Sequence, residues 1–305
     1  MVPRPVVPVE PWQEALRRTT VSLELDRSFC TGTWISPHAV LTAAHCVESL
    51  RPGTFYVVPS TEVISPPLKL RTGQYFIHPS YLAVRQAGDR RPNVAVVSAD
   101  FAVVTVPDGI PNGASIALLD FEHTVQTNML SFIAGYGQTG MRNGVPQGVG
   151  VLRSAQFKAL YKFTNSSPNA AGAGGTRVGA GTRPTGFYWA LDGEGRAEAC
   201  RGDSGGPAFW VSQSTMMQFG VNSYIMSTSR DDVARLRRMA AQAQRGELLS
   251  LDDLDFHRGL SEAGKHIANQ GCSRLITVAS IGEHRDWITD RRDEIERAAA
   301  LAPRR

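Results

Sequence analysis

The chain has no apolar run long enough to cross a membrane. Its most hydrophobic stretches, such as Asn93 to Val97 and Phe101 to Val106, fall far short of the roughly 18 residues a span requires. It also has no dense cluster of one charge. Its 32 basic residues are interspersed among 28 acidic ones, so the net charge of +4 and pI of about 9.0 create no basic face for nucleic acid. Cysteine is scarce. Cys30, Cys46, Cys200 and Cys272 lack the short paired spacing of a zinc site and are too few to frame a disulfide-built mini-domain, so two bridges and four thiols both fit. The first eight residues, Met1 to Pro8, hold three prolines and no apolar stretch of secretory length. That leaves a removed leader or a cytosolic protein as the alternatives.

What is present is ample core material. At 305 residues, with 42% hydrophobic and 20% charged residues, the chain can build two ordinary domains, and disorder is excluded as its main state. From Thr20 to about Ala134, short runs of Val, Leu, Ile, Phe and Tyr are broken every eight to twelve residues by Gly, Pro, Asn or Asp, the rhythm of antiparallel strands and turns. The rhythm resumes from Val151 to Ile225, except for Thr164 to Thr185, where Gly, Ala, Ser, Asn and Pro leave no apolar period and a mobile loop is expected. Between Ser229 and Gln270, Val233, Leu236, Met239, Ala240 and Ala243 recur at three- and four-residue steps, which predicts a helical insertion. Trp287, Ile288 and Ile295 mark one face of a closing helix within Glu283 to Ala300.

The densest chemical signal is Gly202-Asp203-Ser204-Gly205-Gly206-Pro207. Glycines on both sides of a serine let the backbone bend tightly and aim amide hydrogens in one direction, an anion-binding nest. A serine hydroxyl attacks only when a base removes its proton, so a histidine and an orienting carboxylate are required. His45, in Leu41-Thr42-Ala43-Ala44-His45-Cys46, and Asp100, before Phe101-Ala102-Val103-Val104, are the candidates. Taken singly, each motif reads as a turn, a buried strand end or a cap.

Taken together, Thr42-Ala43-Ala44-His45-Cys46 and Gly202 to Pro207 resemble the trypsin and chymotrypsin family of serine peptidases. His78-Pro79-Ser80-Tyr81, Gly135-Tyr136-Gly137 and Asp286-Trp287-Ile288 follow in the family's order. The resemblance implies an all-β fold of two six-stranded antiparallel barrels with a helical insertion and a C-terminal helix. Residues 1–19 form an N-terminal segment, 20–130 the first barrel and 131–288 the second. The insertion 229–270 interrupts the second barrel, and 283–305 form the terminal helix and tail. Carried over by position, Ser204 is the nucleophile, His45 the general base and Asp100 the group that fixes its tautomer, while the Gly202 and Ser204 amides form the oxyanion hole. The pairs Cys30 to Cys46 and Cys200 to Cys272 are implied too, which points to a secreted or periplasmic enzyme, with the cytoplasm as the alternative. A calcium loop would fall in Ser60 to Tyr81, where Glu62 is the one acid. No metal and no cofactor is expected. The expected partners are a protein or peptide substrate and an activating partner at the insertion, with no nucleic acid and no membrane.

Two departures from the family bear on substrate and activation. Glu198 occupies the position at the base of the specificity pocket and implies cleavage after Arg or Lys. Arg274, expected to pair with Glu198, would select Asp or Glu, and a shallow pocket for small side chains is the third outcome. Ser223, Tyr224 and Ile225 belong to the pocket wall, with Ile225, where the family has glycine, narrowing the pocket entrance or the neighbouring subsite. Asp203 is the activation residue, awaiting a new amino terminus, but Val6-Val7-Pro8-Val9 follows Pro5 where a cleavable Arg or Lys is expected. A different terminus, an internal cation, or latency until a partner binds are the alternatives. A latent pseudo-protease is therefore the competing reading.

Overall fold

The computed structural model describes residues 10–26, 28–62, 64–86, 97–122, 128–164, 187–193, 197–226 and 271–302, with scattered positions between 231 and 245. The first half holds β1 (Thr20–Glu24), β2 (Phe29–Ser36), β3 (Ala39–Thr42), β4 (Tyr56–Pro59), β5 (Leu70–Arg71), β6 (Tyr75–Ile77) and β7 (Ala102–Thr105). They pair in the order β5-β4-β1-β2-β3-β7-β6, and every pairing is antiparallel. The sheet has seven strands where six were expected, because the short strand at Leu70–Arg71 adds to its edge.

After β8 (Leu118–Leu119) come β9 (Leu130–Gly135), the hairpin β10 (Gly140–Arg142) and β11 (Val145–Gln147), β12 (Arg153–Thr164), β13 (Phe187–Gly193) and β14 (Ala199–Cys200). β15 (Pro207–Ser212), β16 (Thr215–Met226), β17 (Cys272–Ser273) and β18 (Leu275–Ser280) complete the second half. Here β15-β9-β12-β13-β18-β16 closes on itself through the β15 to β16 pairing, a ring of six. Closure leaves that ring no free edge. β8 departs from the antiparallel expectation: it lies in the crossover between the halves and pairs in parallel with Met217 and Gln218.

Burial explains the strands. Ala39 to Thr42 and Ala102 to Val104 are buried without alternation, because one face meets the barrel interior and the other meets covering chain. The C-terminal helix, Arg285–Leu301, supplies part of that cover, with Ile288 and Ile295 packed into the first core. Fully burying a side chain of this size contributes about 1.5–3 kcal/mol. Its anchor is polar: Glu296 accepts from the Ser36 hydroxyl at 2.5 Å, the His38 amide at 2.8 Å and His38 Nδ1 at 2.9 Å.

A helix at Pro11–Thr19 was not anticipated. Pro11 at its first position, Glu14 in its first turn and Arg17 and Arg18 in its last suit a helix, and Trp12 packs on Phe132 and Phe209 at 5.1 and 5.8 Å between ring centroids. The expected mobile loop at Thr164 to Thr185 lies, beyond its first residue, outside the described residues. Within the 229–270 insertion, Asp231, Ala234, Arg235, Arg237, Arg238, Ala241 and Gln242 are helical, and most of the rest lies outside the described residues. No helix among the described residues is long and apolar enough to cross a membrane.

Candidate active site

β3 ends at Thr42, and Ala44–Val47 forms a single helical turn. Ala43 and Ala44 are fully buried, so the turn seats closely on the first core and carries His45 to its rim. Asp100 arrives just before β7 and is wholly inaccessible to solvent. An ionised carboxylate buried this deeply is tolerable only with donors around it. Three converge on it. The His45 amide donates to Oδ1 at 3.0 Å, while His45 Nδ1 at 2.8 Å and the Ser223 hydroxyl at 2.5 Å both meet Oδ2. With Nδ1 committed to the carboxylate, Nε2 is left as the basic nitrogen. Burial pushes the imidazole down, but the Asp100 charge and hydrogen bond outweigh it and hold His45 above the ordinary histidine value.

Ser204 sits in the turn Arg201 to Gly206. Gly205, at φ 82°, is required there, because a Cβ would lie 2.1 Å from Thr42 Oγ1 and 2.2 Å from the Thr31 carbonyl. The turn is clamped by its flanks: Gly205 donates to the Asn222 carbonyl at 2.7 Å, Asn222 donates back to Gly206 at 2.8 Å, and Thr31 donates to the Ser204 carbonyl at 2.7 Å. The Ser204 hydroxyl donates to the Ser223 carbonyl at 3.2 Å. Ser223 thus joins the two halves of the site, carbonyl to Ser204 and hydroxyl to Asp100. The sequence had assigned Ser223 only to the pocket wall. The Gly202 and Ser204 amides meet no backbone acceptor among the described residues.

Asp203, beside Ser204, accepts from the Gly137 amide at 2.9 Å and the Cys200 amide at 2.7 Å. Burial pushes its carboxyl up to about 6, against the pull of those amides and of Arg153. It lines a cavity of about 190 Å³ together with Gln138, Arg153 and Glu198. Val6, the other half of the expected activation contact, lies outside the described residues.

Glu198 is exposed and lines the Asp203 cavity. Arg274 is half-buried and donates through Nη2 to the Gly193 carbonyl at 2.7 Å. Among the described residues no ion pair joins Arg274 to Glu198, which lines the Asp203 cavity. Ile225 pairs with Ile276 and packs against the second core. Tyr224 stacks on the His45 ring. Cys30 is bonded to Cys46 and Cys200 to Cys272, the pairs the resemblance implies. Cys30, His45 and Cys46 lie close together, but both sulfurs are used in the bond and offer no thiolate to a metal.

The sequence model of the family described as Trypsin matches residues 6–239. The chain belongs to the trypsin family. Human transmembrane protease serine 11A is 30% identical over 198 residues, 65% of this chain and 41% of the relative, so the chain spans about two fifths of that protein's length. The solved structure of neuropsin, a serine protease expressed in the limbic system of mouse brain, superposes with a TM-score of 0.53 at 16% identity. It covers 91% of this trypsin-family chain and 95% of its own, and supports the chymotrypsin-like double-barrel fold. The family match ends at residue 239, inside the stretch read as an insertion.

Proposed function

We propose that this protein is a serine endopeptidase working through Ser204, His45 and Asp100. One observation carries the reading: a buried carboxylate aligns the His45 imidazole through Nδ1, while one residue, Ser223, bonds both that carboxylate and the serine hydroxyl. In the reaction, Ser204 Oγ turns from the Ser223 carbonyl and attacks the peptide carbonyl as His45 Nε2 takes its proton. The Gly202 and Ser204 amides then stabilise the oxyanion, and loss of one such donor costs about 3 kcal/mol. His45 returns the proton to the departing amine, and water releases the acyl group by the same route.

Two pocket preferences are carried by the reading: cleavage after Arg or Lys where Glu198 governs, and cleavage after Asp or Glu where Arg274 governs. Asp203 is the activation residue, and its cavity receives the cation that completes the oxyanion turn. The two disulfides support an extracytoplasmic setting. The substrate is a protein or peptide, and an activating partner at the 229–270 insertion remains part of the proposal.

A peptide-library digest by the wild type, Ser204→Ala and Arg274→Gly tests it. The expected result is selective cleavage that Ser204→Ala abolishes; cuts after Asp or Glu that are redirected in Arg274→Gly would assign the pocket to Arg274. Cleavage after Lys or Arg by the wild type would return the pocket to Glu198. A folded wild type that never reacts with a fluorophosphonate would favour a pseudo-protease. Terminal sequencing of the labelled enzyme identifies the amine, and a free Val6 would make activation conventional.

A further inference from the structure

Thr31, on β2 of the first barrel, is fully buried, and its polar atoms reach across to the other barrel. Its hydroxyl donates to the Gly202 carbonyl at 2.7 Å and accepts from the Tyr136 amide at 3.0 Å, while its own amide donates to the Ser204 carbonyl at 2.7 Å. The one hydroxyl proton is thereby committed. A single residue grips the serine turn on both sides of Asp203, from 171 positions away in the chain.

Peptide planarity turns that grip into aim. Within each planar trans unit, the C=O of one residue and the N–H of the next point in opposite directions. The Gly202 amide, one of the two donors proposed for the oxyanion, shares its plane with the Arg201 carbonyl, which accepts from the Gln138 amide at 2.9 Å. The Ser204 amide, the other donor, shares its plane with the Asp203 carbonyl, which accepts from the Gly206 amide at 3.1 Å and from Asn222 Nδ2 at 3.2 Å. The unit from Gly202 to Asp203 stands between these two planes, so its tilt sets the angle between the donors. Gly202, at φ 98°, has no Cβ to limit its rotation. The unit is restrained at each end instead: the Asp203 amide donates to the Cys200 carbonyl at 3.1 Å, and Thr31 Oγ1 holds the Gly202 carbonyl at the shorter 2.7 Å.

We infer that Thr31 is a positioning residue for the proposed hydrolysis: from the opposite barrel, its hydroxyl holds the central peptide unit of the serine turn and so fixes the directions in which the Gly202 and Ser204 amides point. The inference rests on the peptidase reading and deepens it by adding a residue that acts through the turn. The position needs a hydroxyl, because a methyl in its place would leave the Gly202 carbonyl without this donor and the Tyr136 amide without this acceptor.

The test compares Thr31→Val, which keeps the shape and removes the hydroxyl, with Thr31→Ser, which keeps the hydroxyl. Rates are taken on the peptide that the wild type cuts best, per Ser204 site titrated with a fluorophosphonate. Thr31→Val is expected to lower kcat roughly 10- to 100-fold with KM within about 3-fold, below the loss of about 10²–10³ for an oxyanion donor itself, and Thr31→Ser to stay within about 3-fold in both. A kcat within 3-fold of wild type in Thr31→Val, or an equal fall in Thr31→Ser, overturns the inference. A second readout needs no turnover: amide hydrogen exchange at Asp203, Gly205 and Gly206, whose N–H groups bond within the turn and to Asn222, should quicken at least ~10-fold in Thr31→Val and keep the wild-type rate in Thr31→Ser. Unchanged exchange overturns the inference whether or not a peptide is cut. If Thr31→Val does not fold, Thr31→Ala, which puts no methyl against the Gly202 carbonyl, takes its place with the same outcomes. A folded wild type that neither cuts a peptide nor reacts with the fluorophosphonate, or cutting that survives Ser204→Ala, overturns the peptidase reading instead, and exchange then judges the Thr31 clamp alone.

Discussion

The two halves of the site are built to different standards of order. On the first barrel, His45 and Asp100 are held by direct hydrogen bonds of 2.5 to 3.0 Å around a carboxylate with no solvent exposure. On the second barrel, the serine turn borders a cavity of about 190 Å³, and Asp203 beneath it meets two amides. His45 is held by contacts already made, whereas the Ser204 turn rests on a carboxylate that burial disfavours in its charged form. In the proposed reading, one half of the device is complete in advance and the other depends on an added cation at Asp203.

Breaking the well-ordered half should produce the largest effect. Asp100→Asn keeps the shape but offers His45 Nδ1 an amide that can donate, which favours the wrong tautomer. A loss on the order of 10⁴ in kcat is expected, the general size for a triad carboxylate, with little change in Tm. Steady-state kinetics beside a melting curve check this, and a loss under about 10-fold would remove Asp100 from the mechanism.

Next in size is Ser223→Ala, which removes one of the three donors to Asp100 and leaves the Ser223 carbonyl in place. A hydrogen bond to a charged group contributes about 1.5–3 kcal/mol, so a fall of roughly 10- to 100-fold in kcat is expected. The alkaline side of the pH profile should keep its shape. Unaltered kcat would mean that the two His45 contacts suffice by themselves.

The comparison sharpens with a pair of structural variants. A Cβ at Gly135 would stand 2.7 Å from the Asp203 Cα, so Gly135→Ala must displace the nucleophile turn itself. Overpacking of this kind costs about 1–3 kcal/mol, and fluorophosphonate labelling should slow at least ~10-fold. Leu23→Ala, in the first core, should cost more stability, about 2–5 kcal/mol, yet leave labelling of the folded protein unchanged. Equal labelling rates in the two variants would show that the serine turn is no more fragile than the rest.

Much of this arrangement is legible in the sequence, for a physical reason. Thr42 to Cys46 and Gly202 to Pro207 are local motifs whose backbone demands small residues and glycine at fixed spacing, so reading them needs no knowledge of distant contacts. The strand rhythm from Thr20 onward and the apolar face of Trp287, Ile288 and Ile295 are local in the same sense. The Pro11–Thr19 helix escaped notice because its signal is short and is fixed only by Trp12 meeting Phe132 and Phe209, more than a hundred residues away. Glu198 and Arg274 were expected to attract each other. Which way each side chain turns depended on the β13 carbonyl at Gly193 and on the Asp203 cavity, neither of which has a mark at those positions. The second bond of Ser223 and the Tyr224 stack are hidden for the same reason, since both partners, Asp100 and His45, lie far away in the chain.

The smallest expected effect comes from acid, and it sets the two halves against each other once more. Behind Asp100, His78 Nε2 and His284 Nδ1 meet at 3.1 Å, with the His78 ring also against Trp287 of the C-terminal helix. Burial lowers His78 to about 3, helped by the neighbouring His284, and lowers His284 to about 4. Both pKa values fall below the unfolded value of 6.5, so the stability this pair contributes is present above pH 6.5 and is lost as pH drops toward 4 and 3. Asp203 works with the opposite sign. Its folded value of about 6 lies above the unfolded 3.8, so its contribution is full below pH 3.8 and is lost as pH rises through 6. Between pH 4 and 6 the two trends oppose each other, and Tm in the wild type should fall gently on acidification. In Asp203→Asn the counterweight is gone, and the fall should steepen. In a His78→Phe, His284→Phe double variant it should flatten or reverse. Melting curves at half-unit pH steps read this directly, and identical slopes in all three proteins would mean that neither buried group changes its charge in that window.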